Sequence, residues 1–463
     1  MKIARAFFLF LLFASILSLS NGCATLPNVS KTIAEASPAD EPRQIVSSNG
    51  LLSPEKSKAI MERLKHSVNP TDVLERHTAV VESVSESQLT KGNKVTLITD
   101  GVAAYAAMVT AIQNATNHIN FETYIIENDD TGRKFADLLL QKQAEGVQVN
   151  FIYDSVGSCG TPAAFFKRLR DAGIQVVEFN PMNPMKARGH WPLKHPDHRK
   201  ILVADGKIAL TGGINISSVY SSSISGSGKA KGAPLPWRDT DVQIEGPAVA
   251  EFQKLFLDTW QKQKGPKLSE RNYFPALKEA GNALVRVVGN TPGESNRITF
   301  VVYVSAITFA EHSIHLTNAY FIPDDQTLDA FCDAARRGVD VKIIVPEKTD
   351  SDMALHAQRY NYSKLLKAGV KIYERRNALL HAKTAVIDGV WSTVGSTNMD
   401  YWSFVSDNEV NAIILSREFA IEMETMFAMD LAESHQILWE EWIHRSLCPR
   451  IGECFAHLFS RWL

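Results

Sequence analysis

Apolar and polar positions alternate in short stretches that recur, in the same order, in both halves of the chain. The first half has a predicted strand, helix and strand over residues 118–126, 130–144 and 146–154. The second half has the same three elements over residues 313–322, 326–337 and 338–345. A further apolar stretch follows in each half, at residues 172–177 and 368–373. The pattern therefore predicts an internal duplication.

Strands that alternate with helices usually pair in parallel, because each helix carries the chain back to the same end of the sheet. We therefore predict an α/β fold built from two repeats. The first repeat is expected over residues 91–265 and the second over 286–437, with a connector over 266–285.

The first residues have the features of a targeting segment. Lys2 and Arg5 precede an apolar run over residues 6–19, which is short for a membrane span. Gly22 and Cys23 follow, as at the end of a bacterial lipoprotein signal. We therefore predict a signal peptide over 1–22 and lipid attachment at Cys23. An uncleaved anchor and a plain secretory signal are the alternatives, and all three place the body of the protein outside the cytoplasm.

Two terminal regions differ from the repeats in composition. Residues 23–90 are rich in polar residues, which predicts a tether between the lipid and the first repeat. Residues 438–463 carry Trp, Phe and Arg at helical spacing, broken once at Pro449. Such an amphipathic segment suits a membrane interface, and the alternative is a helix packed on the protein's own core.

Composition is that of a globular protein, with 45% hydrophobic and 22% charged residues. The net charge of −2 shows no basic excess, so we do not expect nucleic acid as a partner. Of the five cysteines, Cys448 and Cys454 are near enough in sequence to pair in an oxidising compartment, or all remain free thiols. Cysteine spacing does not match a metal site.

The candidate chemistry lies in a motif that occurs twice, His-x-Lys-x-x-x-x-Asp, each copy followed by a glycine turn that ends in Asn. The residues of the two copies are His198, Lys200, Asp205 and Asn215, and His381, Lys383, Asp388 and Asn398. Residues two apart on a strand share a face, so each His lies beside its Lys.

The doubled motif resembles the signature of the phospholipase D superfamily. Trp-Arg-Asp-Thr at 237–240 with Val-Gln-Ile-Glu-Gly-Pro at 242–247, and Gly-Ser-Thr-Asn-Met-Asp at 395–400, resemble the corresponding stretches of bacterial cardiolipin synthases. The resemblance implies two duplicated α/β/α layered repeats packed about a pseudo-twofold axis, with the two motifs facing each other. Facing motifs would supply what cleavage of a phosphodiester requires, namely a nucleophile, an acid for the leaving oxygen and positive charge around phosphate. It also implies a phosphohistidine intermediate on His198, with His381 as acid and base, and no metal or other cofactor.

The resemblance also assigns the remaining polar residues. Lys200, Lys383, Asn215 and Asn398 would bind phosphate oxygens. Asp205 and Asp388 are grouped with the catalytic residues as members of the motif, although their distance from the histidines in sequence is more suited to tying the turns that follow their strands. Glu409 would orient a catalytic imidazole. Alternation along the strand aligns Asp241 with Glu409, although cardiolipin synthases often have His there.

Two features near the first motif allow alternatives. His195 could line the entrance of the site, whereas His118, His312 and His356 fit core or surface positions. The Ser- and Gly-rich stretch over 217–236 is a loop that either gates the site or is a solvated insertion.

The sequence thus predicts a membrane-associated, extracytoplasmic phosphatidyltransferase that joins two phosphatidylglycerols into cardiolipin and releases glycerol. Its partners would be these phospholipids and the membrane surface, and a pseudo-dimeric chain is expected to be monomeric. The alternatives are a phospholipase D hydrolase, a periplasmic nuclease of the same superfamily and a non-catalytic lipid-binding protein. The sequence leaves open the acceptor, the head-group preference and which membrane is involved.

Overall fold

The computed structural model describes residues 25–36, 41–182, 195–221, 235–294 and 296–462. The predicted signal peptide, the predicted lipid attachment at Cys23 and residues 222–234 of the predicted loop lie outside them.

The segment before the first repeat is folded. Its elements are α1 (Val29–Glu35), β1 (Ile45–Ser47), β2 (Gly50–Leu51), α2 (Pro54–His66), a π-helical turn (Val73–His77) and α3 (Thr78–Val84). Apolar side chains of this segment, including Val73 and Val80, are buried in the same core as the second repeat. The prediction of a polar tether over 23–90 is therefore wrong for its described part, because that prediction weighed average polarity and overlooked the apolar residues near its end.

One buried histidine ties this segment to the second repeat. His77 accepts a hydrogen bond at Nε2 from the Trp391 indole, at 3.1 Å, and its Nδ1 lies 2.8 Å from the Ser305 hydroxyl. Burial lowers the pKa of His77 to about 3, so the ring is neutral and donates to Ser305 from Nδ1.

The first repeat contains the predicted strand–helix order. Its elements are β3 (Leu89–Ile98), α4 (Gly101–Asn114), β4 (His118–Thr123), α5 (Asp130–Ala144), β5 (Gln148–Asp154), α6 (Ala163–Asp171), β6 (Gln175–Phe179), β7 (Ile201–Ala204), β8 (Ile208–Gly212), β9 (Trp237–Arg238), β10 (Asp241–Glu245) and α7 (Val249–Lys262). Asp129 caps α5 by accepting the Gly132 amide at 2.8 Å. Strands β4, β5 and β6 pair in parallel, as predicted.

The second repeat has the same order with added short elements. They are β11 (Ala283–Asn290), α8 (Ile298–Thr308), β12 (Ser313–Asn318), α9 (Asp325–Arg336), β13 (Asp340–Pro346), α10 (Asp352–Tyr360), α11 (Tyr362–Ala368), β14 (Lys371–Arg375), β15 (Leu379–Leu380), β16 (Lys383–Ile387), β17 (Trp391–Gly395), α12 (Tyr401–Val405), β18 (Glu409–Leu415), α13 (Arg417–Ala432) and β19 (Ser434–Ile437). Strands β12, β13 and β14 are parallel.

The strand orders of the two repeats correspond. The first sheet runs β6-β5-β4-β7-β8-β10-β3 and the second runs β14-β13-β12-β16-β17-β18-β11. Strand β3 joins the sheets, because its first half pairs with β11 and its second half with β10. The duplicated α/β fold is therefore confirmed.

Strand β7 shows how the layers pack. Leu202 and Ala204 face a core formed with α4, α5 and α6. Ile201 and Val203 face a second core, which holds apolar residues of α7 and α13 and of the second repeat's strands. All four side chains are buried. The motif strand thus lies between two apolar layers, and its ends are fixed by packing on both faces.

Two helices follow the second repeat, α14 (Trp439–Ile443) and α15 (Leu447–His457), with a final 3₁₀ turn (Ser460–Trp462). Trp442 packs into the protein's own core and donates to the Ser363 hydroxyl at 3.0 Å. Among the described residues, no helix combines the length and apolar character needed to cross a bilayer.

The predicted option of a Cys448–Cys454 pair does not fit the structure, in which both are free thiols. They lie six positions apart on α15, a rise of about 9 Å. A disulfide requires Cα atoms within about 7 Å, so the helix would have to unwind for the pair to form.

Candidate active site

The two motifs meet at the boundary between the repeats. His198 and Lys200 directly precede β7, while His381 precedes Lys383, the first residue of β16. All four side chains are buried. The boundary is closed by backbone bonds in both directions, because the His198 amide donates to the Asn408 carbonyl at 3.0 Å and the His381 amide donates to the Arg238 carbonyl at 2.8 Å. Each motif segment is therefore held by the opposite repeat.

Each motif histidine also bonds a carboxylate from the opposite repeat. His198 Nδ1 lies 3.1 Å from Glu409 Oε1, and His381 Nδ1 lies 2.6 Å from Asp239 Oδ2. Both carboxylates are fully buried. An imidazole that donates from Nδ1 to a carboxylate keeps a fixed ring orientation and exposes Nε2 for reaction. The placement of Glu409 beside a motif histidine agrees with the sequence prediction.

The prediction that Asp241 orients the other motif histidine is wrong, since Asp239 makes that contact with His381. Asp241 accepts the Ile214 amide at 3.2 Å, its Oδ2 has no hydrogen-bond partner, and burial raises its pKa to about 8. Its pairing with Gly212 corresponds to that of Asn411 with Gly395 in the second repeat. Alternation could not separate residues 239 and 241, because residues two apart share one face.

The two lysines place positive charge under the histidines. Lys200 Nζ donates to the His198 carbonyl at 2.6 Å, and Lys383 Nζ lies 2.9 Å from His381 Nδ1. Burial, and then the nearby Lys383 ammonium, lower the pKa of Lys200 to about 7. Burial lowers the pKa of Lys383 to about 8. A bound anion would reverse these shifts, so the site is suited to a phosphate.

The histidines respond to the same environment. Burial, and then the adjacent Lys383, lower the pKa of His381 to about 4. Burial and then Lys200 also lower the pKa of His198. Both imidazoles are therefore neutral near pH 7 in the absence of an anion, which is the form required of a nucleophile.

A cavity of about 660 Å³ opens above the histidines and is lined by both repeats. Asn215 and Asn398 both line it. The Asn215 amide donates weakly to Tyr220 Oη at 3.4 Å, and Asn398 Oδ1 has no hydrogen-bond partner. The structure thus brings both predicted asparagines to the cavity that contains the motif histidines. A larger cavity of about 730 Å³ contains Arg199 but neither motif histidine.

The motif aspartates, grouped with the catalytic residues in the sequence analysis, do not line this cavity and tie turns instead. Asp205 accepts the backbone amides of residues 116, 117 and 118. Asp388 likewise accepts the amides of residues 311, 312 and 313, and also the Thr71 hydroxyl. Both have positive φ before a glycine, at 53° and 51°. Each aspartate therefore holds the start of the neighbouring strand, β4 or β12, against the end of the motif strand, β7 or β16.

Aromatic residues that the sequence analysis missed surround the histidines. Tyr220 Oη lies 3.2 Å from His381 Nδ1, and the Trp237 ring centroid lies 5.1 Å from the His381 ring. The Tyr124 ring meets His198 edge-on at 5.0 Å. Tyr220 lies within the predicted loop over 217–236, and Trp237 directly follows that loop in the Trp-Arg-Asp-Thr stretch, so the sequence placed both near the motif without assigning them a role.

His195, predicted as a possible entrance residue, lies close but does not line the cavity. Its Nδ1 lies 2.9 Å from the Ser406 carbonyl, and the neighbouring Pro196 lines the cavity instead.

A group able to hold a cation occurs within the site. Among the described residues, ligand atoms of His198, Asp407 and Glu409 lie within 4.8 Å of one another. A cation there would compete with the His198–Glu409 hydrogen bond, so this donor set does not favour a metal in a site whose histidine must stay oriented. That the protein acts without a metal stays a prediction.

Comparisons with known proteins agree with the motif. The family model described as "Cardiolipin synthase, PLD-like domain" matches residues 108–222 and 303–431. A cardiolipin synthase of Alkalihalophilus pseudofirmus is 33% identical over 383 residues, covering 82% of this chain and 74% of that protein. One from Staphylococcus aureus is 35% identical over 375 residues, covering 80% of this chain and 74% of that protein.

Among solved structures, a phosphatidylserine synthase of Haemophilus influenzae covers 87% of this chain and 98% of its own, with a TM-score of 0.57 and 13% identity. At this identity the likeness concerns the fold alone. The family match, the relatives and the paired motifs together establish that the chain belongs to the cardiolipin synthase family of the phospholipase D superfamily.

Proposed function

We propose that the protein is a phosphatidyltransferase that makes cardiolipin and glycerol from two molecules of phosphatidylglycerol. The observation that carries the proposal is the pair of carboxylate-oriented histidines, His198 and His381, facing one cavity over two buried lysines. The cardiolipin synthases that the chain resembles support the substrate class.

In the first step, His198 Nε2 attacks phosphorus, and the bond between phosphorus and the oxygen of the head-group glycerol breaks. The departing alkoxide takes a proton from His381. This requires a protonated His381, and the pKa of about 4 belongs to the site without an anion. A phosphodiester bound beside Lys383 would counter the ammonium charge and favour the imidazolium.

In the second step, neutral His381 removes the proton from the terminal hydroxyl of a second phosphatidylglycerol. The resulting oxygen attacks phosphorus, the N–P bond breaks, and His198 returns as a neutral imidazole. Lys200, Lys383, Asn215 and Asn398 would hold the phosphate oxygens in both steps. The assignment of His198 rather than His381 as nucleophile rests on family resemblance, because the two motifs are alike.

The choice of alcohol over water is supported by the lining of the cavity, which includes Trp237, Trp402 and Trp462. Apolar walls limit the water near a phosphohistidine and accommodate a lipid acceptor. Hydrolysis by the same residues would give phosphatidic acid, so products distinguish the two reactions.

We propose further that the protein is monomeric and is attached on the extracytoplasmic side of a membrane through lipid on Cys23. The apolar run and Gly22-Cys23 support the proposal. Labelling of growing cells with a radioactive fatty acid should mark the protein and not its Cys23→Ser variant. Equal labelling of both would remove Cys23 as the attachment site.

The proposed function is tested by analysing the products and by comparing donors whose leaving groups differ in their need for an acid. Protein in phosphatidylglycerol vesicles should form cardiolipin and glycerol in equal amounts, and His198→Ala should form none. His381→Ala should lose transfer from phosphatidylglycerol but release p-nitrophenol in a burst from phosphatidyl-p-nitrophenol, which needs no acid. A burst from His198→Ala instead would reverse the assignments. Phosphatidic acid alone would make the protein a hydrolase.

A further inference from the structure

The helix α15 carries its apolar residues on the outside of the molecule. Leu447, Ile451, Phe455 and Leu458 are spaced four, four and three apart, so they form one stripe with Cys454 along the helix. Their exposed fractions are 70%, 69%, 45% and 74%. We call these five residues the apolar stripe.

The opposite side of α15 packs on the protein. Glu453 and Ala456 are buried, and Arg445 pairs with Glu453 at 2.5 Å. The His457 ring stacks on Tyr360 of α10 at 3.8 Å. The helix therefore packs on the protein through Glu453, Ala456 and His457, while its large apolar side chains face outward. A contiguous exposed apolar patch marks an interaction surface.

The stripe adjoins the mouth of the active-site cavity. The 3₁₀ turn that continues from α15 brings Trp462 into the lining of that cavity, together with His198 and His381. Val156 and Val219, which are 39% and 40% exposed, line the same mouth. Apolar surface thus extends from the helix to the opening through which a lipid would enter.

The N-terminal end of the described chain lies at the same place. Thr25 and Leu26 line a groove with Ser460 and Arg461. The described chain therefore begins beside the C-terminal turn. This start of the described chain, the stripe and the cavity mouth share one side of the protein.

We propose that the apolar stripe docks on a bilayer that contains anionic phospholipid and sets the cavity mouth against that surface. The inference rests on the proposed function, because its lipid substrate must reach the cavity. Arg450 and Arg461 are exposed beside the stripe, where they suit anionic head groups. A second copy of the chain bound to the stripe would instead cover the surface beside the cavity mouth, across which the lipid substrate has to pass.

Docking in this way leaves acyl chains in the bilayer. Only the head group and its phosphodiester would rise into the cavity, which avoids exposing the chains to water. The stripe enters the bilayer interface and does not span it.

The first test uses Cys454 as a local probe in the full chain. Its maleimide labelling would be followed by mass spectrometry of the peptide, with and without vesicles of phosphatidylglycerol mixed with phosphatidylcholine. We expect labelling to slow about tenfold or more on mixed vesicles. The matched control is Ile421→Cys, at a 56% exposed position on α13, whose labelling should be unchanged.

The second test separates docking from chemistry. The triple variant Leu447→Asp, Ile451→Asp, Leu458→Asp should lose about tenfold or more of its transfer rate on vesicles. Its rate on short-chain phosphatidylglycerol, dispersed as monomers, should stay within about twofold of wild type. That second rate also shows that the variant is folded.

Three results would overturn the docking surface. They are unchanged Cys454 labelling in vesicle-bound protein, equal vesicle rates for the variant and wild type, or concentration-dependent protection of Cys454 without vesicles, which would indicate a second copy. If vesicles protected Cys454 but the wild-type protein showed no transfer with vesicle or short-chain phosphatidylglycerol, the docking surface would be supported and the proposed function would be wrong.

Discussion

Replacing Asp239 tests the cross-repeat assignment of the orienting carboxylate. Asp239→Asn keeps the size of the side chain and an oxygen for the Thr240 amide, which Oδ1 now accepts at 2.8 Å. It removes the negative charge 2.6 Å from His381 Nδ1. The imidazolium that forms as His381 accepts a proton would lose its counter-charge.

The size of the effect follows from that contact. A hydrogen bond involving a charged group contributes about 1.5–3 kcal/mol, and about 1.4 kcal/mol changes a rate tenfold. We therefore expect kcat to fall about 10- to 150-fold, with a smaller change in KM, because the lost interaction matters most when His381 carries charge.

The matched control is Asp241→Asn. Because burial and the neighbouring Asp239 raise the pKa of Asp241 to about 8, its carboxyl is mostly neutral at pH 7. The substitution replaces one neutral group by another and keeps an acceptor for the Ile214 amide. Activity should stay within about threefold of wild type at pH 7.

The assay is cardiolipin formation from phosphatidylglycerol, repeated with phosphatidyl-p-nitrophenol as donor and with thermal melting to verify folding. For Asp239→Asn, release of p-nitrophenol should be nearly normal, because that leaving group needs no acid. A larger loss from Asp241→Asn than from Asp239→Asn would refute the reasoning, as would an Asp239→Asn defect equally large with both donors.

Other predictions concern charge, stability and thiols. Lys200 and Lys383 have pKa values of about 7 and 8 in the free site, so kcat/KM should fall as pH rises through these values. Bound phosphate raises both lysine pKa values, so kcat should begin to fall only at a higher pH. If kcat and kcat/KM fell over the same pH range, the result would contradict this. The folded pKa values are below the usual 10.5, so both lysines make the protein more stable as pH rises from about 7 to 10.5, which denaturant titrations at several pH values would measure. His77→Ala should lower the free energy of unfolding by about 3 kcal/mol, leaving a buried indole N–H unpaired, with kcat unchanged; a fall in kcat without loss of stability would oppose a purely structural role. Cys448 and Cys454 should both react with a thiol reagent in denatured protein kept under air, whereas a mass showing a disulfide between them would contradict their helix.

The sequence was sufficient for elements whose pattern is local. Helix α5 occupies the predicted residues, Asp130–Ala144, because its amphipathic spacing and the Asp129 cap agree. The pairing of His with Lys followed from strand alternation and the doubled motif. Such features need only the period of the chain and the chemistry of its side chains.

Features that depend on contacts between distant segments were not accessible in this way. The segment before residue 90 was judged by its average polarity, yet Val73 and Val80 are buried against the second repeat. Tyr220 meets His381 across 161 positions of sequence, and no periodicity marks that contact. The error between Asp239 and Asp241 has another origin, since a period of two gives the face of a strand but not the position along it.

The contacts that each repeat makes to the histidine of the other repeat give a physical reason for the duplication. Each motif histidine takes a backbone bond and a carboxylate from the other repeat, so neither half has an oriented imidazole by itself. Transfer requires one nucleophile and one acid, and within this single chain the surroundings of the two histidines differ. Tyr220 and Trp237 contact the His381 ring, whereas Tyr124 contacts the His198 ring. Different neighbours allow different proton affinities, so the two histidines can hold different roles in one reaction.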